Sequence, residues 1–548
     1  MGLKLVKNIS DILINLISET NGISLVDTLD LTIESEYARE NKQIRKSLQE
    51  FRKLISGYQQ GEVDIHTLLS HPVSDALRVF FKNFPLPYNE EHIHLTGSLT
   101  ADFVWPRLKP LLKGPNKDIY WRKIKETYGD DITIESEEDV DDLLVLKEEE
   151  KFDRYLMILL LPKLILTDRQ AHKEAAYHMA SELYHSYNVG FIRLKFTFSR
   201  ATNDSSEQIP GLDKLTEEDV VMGLYDGFME FKKKVPAFNF CLSPCFRKEA
   251  DFFDGSRFES KKDHFDQQID LILAILERNP ELGPYLTDVD TVGNEKDLYR
   301  KGHFQDMKLG FRKLHYKGFS IRSHHGETWH TLKKGVQAVD NAMNIWHIDT
   351  LEHGLSLGIN PNYYYHSLYQ RVSDMNEQGI ALKENSTEYK ELDEMHWRDN
   401  GEVKDKLFKG IPLSPEEKTQ FVKTKFHTAR EVEHYQHDVL NRMINKQVSL
   451  IALPSSNKRL TGSFKDYKDH PFSWWEKKGV KLGVGTDNYI TLDTDYIQEL
   501  LILLYTDPED LKITKLLMVA TGEDRRPYIS QLMWQMRPNK RSNRRPYN

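Results

Sequence analysis

The chain has 548 residues with 75 basic and 84 acidic side chains, a formal charge of −9 that gives no electrostatic reason to bind nucleic acid or an anionic membrane and suits a small soluble ligand. That length buries a large core and exceeds one minimal domain. The only two cysteines, Cys241 and Cys245, exclude a disulfide framework and a cysteine-rich zinc site, so any metal must be held by His, Asp or Glu.

The first apolar stretch, LVKNISDILINLI, is interrupted at helical spacing by Asn8, Ser10, Asp11 and Asn15 and reads as an amphipathic helix rather than a secretory leader. No run reaches the roughly 20 apolar residues of a membrane span, and a cytoplasmic protein is expected. The helical pattern continues through ESEYARENKQIRKSLQEFRKLI and VSDALRVFFKNF, so residues 1–88 are expected to form a helical N-terminal extension. Short β-rich runs then recur between helical stretches. They are EEHIHLTG (90–97), GFIRLKFTFS (190–199), FNFCLSP (238–244), PYLTDVDTVG (284–293), GFSIRSHHGE (318–327), NIWHIDTLEHG (344–354), VSLIALPSS (448–456) and VKLGVGTDN (480–488).

Eight strands alternating with helices predict an α/β protein built on a (β/α)8 barrel, in which function gathers where the strands end at the C-terminal face. The barrel is assigned to 89–510, longer than the ~250 residues typical of the fold, so insertions are required. The clearest is the charged, largely helical stretch 360–445. Residues 511–548 are read as a helical segment and a basic tail, RPNKRSNRRPYN, solvated rather than bound to nucleic acid. Cys241 and Cys245 are expected in the core, and lone histidines such as His330 and His347 in packing or surface positions.

The strand ends carry the chemistry. In EEHIHLTGSL, His92 and His94 alternate with Ile93 and point to one face of a strand, a ligand spacing that on its own also suits packing or surface histidines. SHHGE places His324 at a strand mouth and Glu327 beyond a glycine, EHG contributes His353, and GTDN contributes Asp487 and Asn488. Histidines and an aspartate from different strand ends can surround one divalent ion and leave a position open to water, the arrangement of a catalytic site.

These segments together resemble a known family. HIHLTG is similar to the H-x-H-L-x-G motif of the adenosine deaminase family of metal-dependent amidohydrolases, HHGE to its H-A-G-E, EHG to its G-H-G and GTDN to its T-D-D. LPSSNKRLTG and HPF resemble its C-P-x-S-N and H-P-[FI] stretches, and the order holds from about residue 90 to 495. The resemblance implies that His92, His94, His324 and Asp487 bind Zn2+, that Glu327 gives a proton to purine N1, and that His353 and Asp487 orient the attacking hydroxide. It also implies that Gly293 approaches purine N3 with its backbone.

Two departures bear on substrate. Thr96 stands where nucleoside deaminases carry an acidic residue against the ribose 5′-hydroxyl. A carboxylate there would repel a 5′-phosphate, whereas a hydroxyl can donate to one. Lys195, Arg200, Lys458 and Arg459 are candidate phosphate partners. Asn488 replaces a second aspartate expected at purine N7, and an amide donates there at any pH.

The expectation is a zinc-dependent deaminase of an adenine nucleotide or nucleoside. Two alternatives stay open: an amidohydrolase acting on an N6-substituted adenine nucleotide, and a metal-binding scaffold without turnover. The additional segments suit a homo-oligomer. By analogy of fold, an enlarged nucleotide-directed deaminase would suit antiviral defence through purine-nucleotide modification.

Overall fold

The computed structural model describes residues 6–7, 9–11, 23–148, 150, 152–198, 209–398 and 400–522. Arg200, most of the first apolar stretch and the basic tail lie outside these. Eight strands form one sheet in chain order: β1 (Tyr88–His94), β2 (Val189–Thr197), β3 (Asn239–Arg247), β4 (Asp288–Val292), β5 (Ser320–His325), β6 (Thr350–His353), β7 (Ser449–Ala452) and β8 (Leu482–Val484). Every neighbouring pair is parallel. The barrel closes beyond the end of β8, where a parallel bridge joins Ile93 to Asp487. Asp487 donates its backbone N–H to His92 O at 2.8 Å and accepts from His94 N at 3.1 Å. Glu90 adds to the seam, accepting from Thr486 Oγ1 at 2.8 Å and from the Thr486 amide at 3.2 Å. The architecture is therefore a (β/α)8 barrel.

Each of the eight β-rich runs overlaps its strand, and those of β4 to β8 contain it whole, because apolar residues at period two face the helix layer, whereas β1 and β2 begin before their runs and β3 continues to Arg247. Two runs overreach. Asn344–Trp346, read as the start of the sixth strand, belongs to a single turn of π-helix, Ala342–Trp346, and Pro454–Thr461 turns helical straight after β7. Pro454 supplies the fixed φ suited to a first helical turn.

Two long connections stand on the C-terminal side of the strands. Between β1 and β2 run five helices (Ala101–Leu111, Lys117–Tyr128, Glu137–Leu144, Phe152–Ile158 and Leu160–Ile165) before the helix Arg169–Tyr187 that covers β2. Between β6 and β7 run Pro361–Glu377, Thr387–Glu394, Gly401–Lys409 and the 31-residue helix Pro415–Asn445. This second connection builds its own apolar core around Tyr365, Leu368, Trp397, Val403 and Phe421. Gln436 fastens it to the barrel, donating to Ser356 O at 2.8 Å and Ile359 O at 2.9 Å.

The N-terminal helices, among them Lys42–Gln60 and Pro72–Lys82, pack on the barrel helix Tyr496–Thr506 through the Ser74–Tyr505 hydroxyl pair at 2.6 Å and Arg78–Asp495 at 3.0 Å. The helix Ile513–Thr521 lies against β1 and β8. Among the described residues no helix is long and apolar enough to cross a membrane. Cys241 and Cys245 are both buried with free thiols.

Candidate active site

Strand alternation turns His92 and His94 of β1 to the same side and selects His324 over its neighbour His325. The His324 ring centroid lies 4.6 Å from that of His92 and 5.1 Å from that of His353. His325 points away, packed between Phe304 and Trp346 with Nδ1 2.7 Å from Ser323 Oγ. His353, at the end of β6, and Asp487, just past β8, both hold φ of +64°, a left-handed conformation that a non-glycine residue adopts at a cost of roughly 1–3 kcal/mol. Such strain persists where the surroundings over-determine it, and it is characteristic of functional sites.

The imidazoles converge. His92 Nε2 lies 3.1 Å from His94 Nε2, which lies 3.3 Å from His324 Nε2 and 3.6 Å from Asp487 Oδ1. The ligand atoms of His92, His324 and His353 all lie within 4.8 Å of one another, as do those of His92, His94 and Asp487.

The opposite ring nitrogens show which atoms carry protons. His92 Nδ1 is 2.7 Å from Glu352 Oε2, His324 Nδ1 is 3.2 Å from Asp290 Oδ1, and His353 Nδ1 is 2.9 Å from Asn457 Oδ1. A carboxylate or amide oxygen only accepts, so each Nδ1 is the donor and each Nε2 presents a lone pair. Facing lone pairs repel unless a cation sits between them. Tetrahedral zinc with Zn–N bonds of about 2.0–2.1 Å sets its ligand nitrogens roughly 3.3 Å apart, which the spacings above match. His353 Nε2 is itself buried with no partner among the described residues. The donor set therefore fits a divalent ion of the zinc class.

Beneath the histidines lies a buried charge network. Lys195, fully buried, bonds to Asp290 and donates to Glu352 Oε1 at 2.9 Å, and Arg322 Nε reaches the same oxygen at 2.5 Å. Burial would raise the Glu352 carboxyl, but Arg322, Lys195 and His92 hold it well below the usual range. Burial lowers His324 to about 3 against the pull of Asp290, and it also lowers His92 and His94. His353 moves the other way. Burial lowers it, but Glu327, whose Oε2 is 3.9 Å from His353 Nε2, together with Asp487 raises it on balance. Glu327 is raised chiefly by burial. Its backbone is clamped by Glu295, which accepts from the amides of Gly326, Glu327 and Thr328 at 2.9, 2.6 and 2.6 Å.

The remaining sequence candidates divide. Thr96 lies half-buried on a cavity of about 460 Å³ at the ends of β1–β3, whose wall also carries Lys123, Lys163 and Arg247. Gly293, at φ +108°, leaves room for Glu249, whose carboxylate a Cβ would meet at 2.2 Å. Asn488 is buried with Nδ2 donating to Asp487 Oδ1 at 2.9 Å and to the Tyr155 hydroxyl. Of the phosphate candidates, Lys195 is consumed by Asp290 and Glu352. Arg459 donates to the backbone carbonyls of Leu492 and Leu146, Lys458 stands half-buried on the helix Pro454–Thr461, and Arg200 lies outside the described residues.

Sequence reasoning missed Glu352, Asp290, Asn457 and Tyr155. Glu352, Asp290 and Asn457 stood inside quoted segments, but the imidazoles they hold lie 260, 34 and 104 residues away in the chain, and the one local signal was an acid, Glu352, beside the candidate residue His353.

No family model and no curated protein matches the sequence. Solved structures similar to this chain include an amidohydrolase from Burkholderia ambifaria with bound Zn, 13% identical over 84% of this chain and 94% of that one, TM-score 0.45. The apo N6-methyl-AMP deaminase from Arabidopsis thaliana is 11% identical over 82% and 97%, TM-score 0.46. Arabidopsis ADAL complexed with IMP is 12% identical over 83% and 97%, TM-score 0.47. At these identities the likeness concerns architecture alone.

Proposed function

We propose that the protein is a zinc-dependent hydrolytic deaminase that converts an adenine nucleotide to its inosine counterpart. The observation that carries this reading is the convergence of imidazole Nε2 atoms, those of His92, His324 and His353 turned inward by acceptors on Nδ1, beside Asp487 and a buried carboxyl, Glu327. A scaffold has no use for a proton donor at that position. A zinc ion bound by His92, His94, His324 and Asp487 would supply a water of lowered pKa. The chain's own groups do the rest. Burial biases Glu327 towards its protonated form, so it can give that proton to purine N1 and make C6 electrophilic. His353 Nε2, with no other partner among the described residues, accepts a hydrogen bond from the attacking water and orients it. Addition of water at C6 and loss of ammonia leave the 6-oxo purine.

A nucleotide is favoured over a nucleoside because Thr96 is neutral and the adjoining cavity wall carries Lys163, Lys123, paired with Glu126 at 3.5 Å, and Arg247, bidentate on Glu249, cations that a phosphate could share. Similar solved structures include an N6-methyl-AMP deaminase and Arabidopsis ADAL bound to IMP or to GMP, ligands of the class proposed here.

The test is incubation of the zinc-loaded protein with adenosine, AMP, dAMP, ATP, dATP and N6-methyl-AMP, with chromatography of the products. Conversion of a nucleotide is expected, and Glu327→Gln should reduce it by about 10²-fold or more. Preference for adenosine discards the phosphate argument. Turnover of the N6-methyl substrate alone moves the reading to modified purines, and silence on all six with metal bound rejects it.

A further inference from the structure

Tyr155 belongs to none of the strand-end motifs. It stands on the short helix Phe152–Ile158 of the β1–β2 connection, is 5% exposed, and packs in a small apolar cluster with Leu146, Ile158, Leu460 and Leu492. Its hydroxyl has a different address. It donates to Asp487 Oδ1 at 3.4 Å and accepts from Asn488 Nδ2. The orientation of the Asn488 amide is fixed independently, because the atom 2.9 Å from Asp487 Oδ1 must be a donor.

The Asp487 carboxylate thus gathers three side-chain donors: Tyr155 Oη and Asn488 Nδ2 on Oδ1, and Ser456 Oγ at 2.6 Å on Oδ2. Its backbone is strained at φ +64° and pinned by two hydrogen bonds to β1. A packing role for residue 155 would be met equally well by phenylalanine. Burying the hydroxyl is worthwhile only if it is bonded, since an unpaired buried hydroxyl loses its hydration without replacement.

We propose that Tyr155 is a positioning residue of the site, its hydroxyl holding Asp487 and Asn488 in place and tying the β1–β2 helical connection to the metal-facing carboxylate. The inference rests on the metal assigned above, though not on the identity of the substrate. Partners of this kind that orient a metal ligand typically contribute 10–100-fold in affinity or activity. The same hydroxyl fixes the amide at 488, so the substrate meets an Asn488 whose nitrogen is already engaged within the protein.

The experiment compares the full-length protein with Tyr155→Phe and Leu146→Ala, the second truncating the same apolar cluster while sparing the hydroxyl. Each is reconstituted with Co2+ for visible absorption, and with Zn2+ for the rate of release to a chromogenic chelator. In Tyr155→Phe the Co2+ d–d bands should shift and zinc release should quicken by about 10-fold. With a turned-over substrate, kcat should fall by a similar factor while KM changes little. Leu146→Ala should melt earlier with a Co2+ spectrum like that of the native protein.

A native spectrum and release rate in Tyr155→Phe overturn the proposal. So does an equal spectral shift in Leu146→Ala, which would assign the effect to packing. If the native protein binds Co2+ but deaminates nothing, the deaminase reading fails and the spectra alone decide the role of Tyr155. If it binds no Co2+, both fall.

Discussion

Lys195 lies between Asp290 and Glu352, and each of those carboxylates holds one imidazole by its Nδ1–H. Lys195 therefore helps, with Arg322 on Glu352, to keep two acceptors anionic and two histidines in the tautomer that turns Nε2 inward. Lys195→Met leaves buried Asp290 without its lysine and Glu352 with Arg322 alone, and breaking a buried pair typically costs about 3–5 kcal/mol. The expected outcome is a lower denaturation midpoint together with zinc affinity weakened about 10–100-fold. Denaturant melts and competition with a chelator measure the two effects, and native zinc affinity in a folded variant would refute the role. At Gly97 the argument is steric. A Cβ there would fall 1.9 Å from Asn488 Oδ1, so Gly97→Ala must displace Asn488 and should depress kcat more than stability, a contrast that kinetics and melting resolve. The convergent histidines and Asp487 were legible in the sequence, because strand periodicity fixes which side chains share a face. Lys195 was legible as a strand-end cation and misread as a phosphate partner. In this barrel the outward face of β2 takes Ile192 and Leu194 to the core, while Arg193 and Lys195 turn towards Asp288, Asp290 and Glu352.

The β6–β7 connection is held to the barrel by a titratable element. Glu391, on the helix Thr387–Glu394, accepts from the Leu332 amide at 2.7 Å, Tyr364 Oη at 2.8 Å and Tyr365 Oη at 3.1 Å. Burial pushes its carboxyl up to about 7. A folded-state value above the unfolded one means that the native state binds the extra proton. Its stabilising contribution is full below about 4.5 and is lost as pH rises through about 7, roughly 3 kcal/mol across the window. Hydrogen-exchange protection in 361–445, taken against the intrinsic exchange rate at each pH, should fall over that interval at constant temperature, and Glu391→Gln should flatten the dependence. Unchanged protection between pH 4.5 and 7 would contradict it. This connection was visible in the sequence as a charged break in the strand rhythm. The β1–β2 connection was not, because its amphipathic helices carry the same period as any barrel helix, and nothing in FDRYLMI signals that Tyr155 faces a site more than 300 residues downstream.

Across the whole molecule, the eight-strand pattern was the most legible feature, since alternation of β-rich and helical runs reports topology directly. What the pattern could not convey is how strongly the site and the barrel depend on each other. The proposed ligands come from β1, β5 and the turn after β8, so an ion held there would link both ends of the sheet. A ligand that binds only the native state stabilises it by about 4 kcal/mol when present at 1,000 times its Kd. Removal of zinc by a chelator should lower Tm by several degrees, and added Zn2+ should restore it. An identical melt with and without metal would separate the site from barrel stability.

The seam that closes the barrel has a consequence for synthesis. Glu90 and Thr486, bonded across it, are 396 residues apart in the chain, and Asp487 completes both the seam and the cluster around His92 and His94. A growing polypeptide tethered to the ribosome therefore cannot assemble that cluster until nearly all of the described chain has emerged. Its earlier strands must wait with an open edge beside β1, and the cluster forms in one step with the last parallel strand.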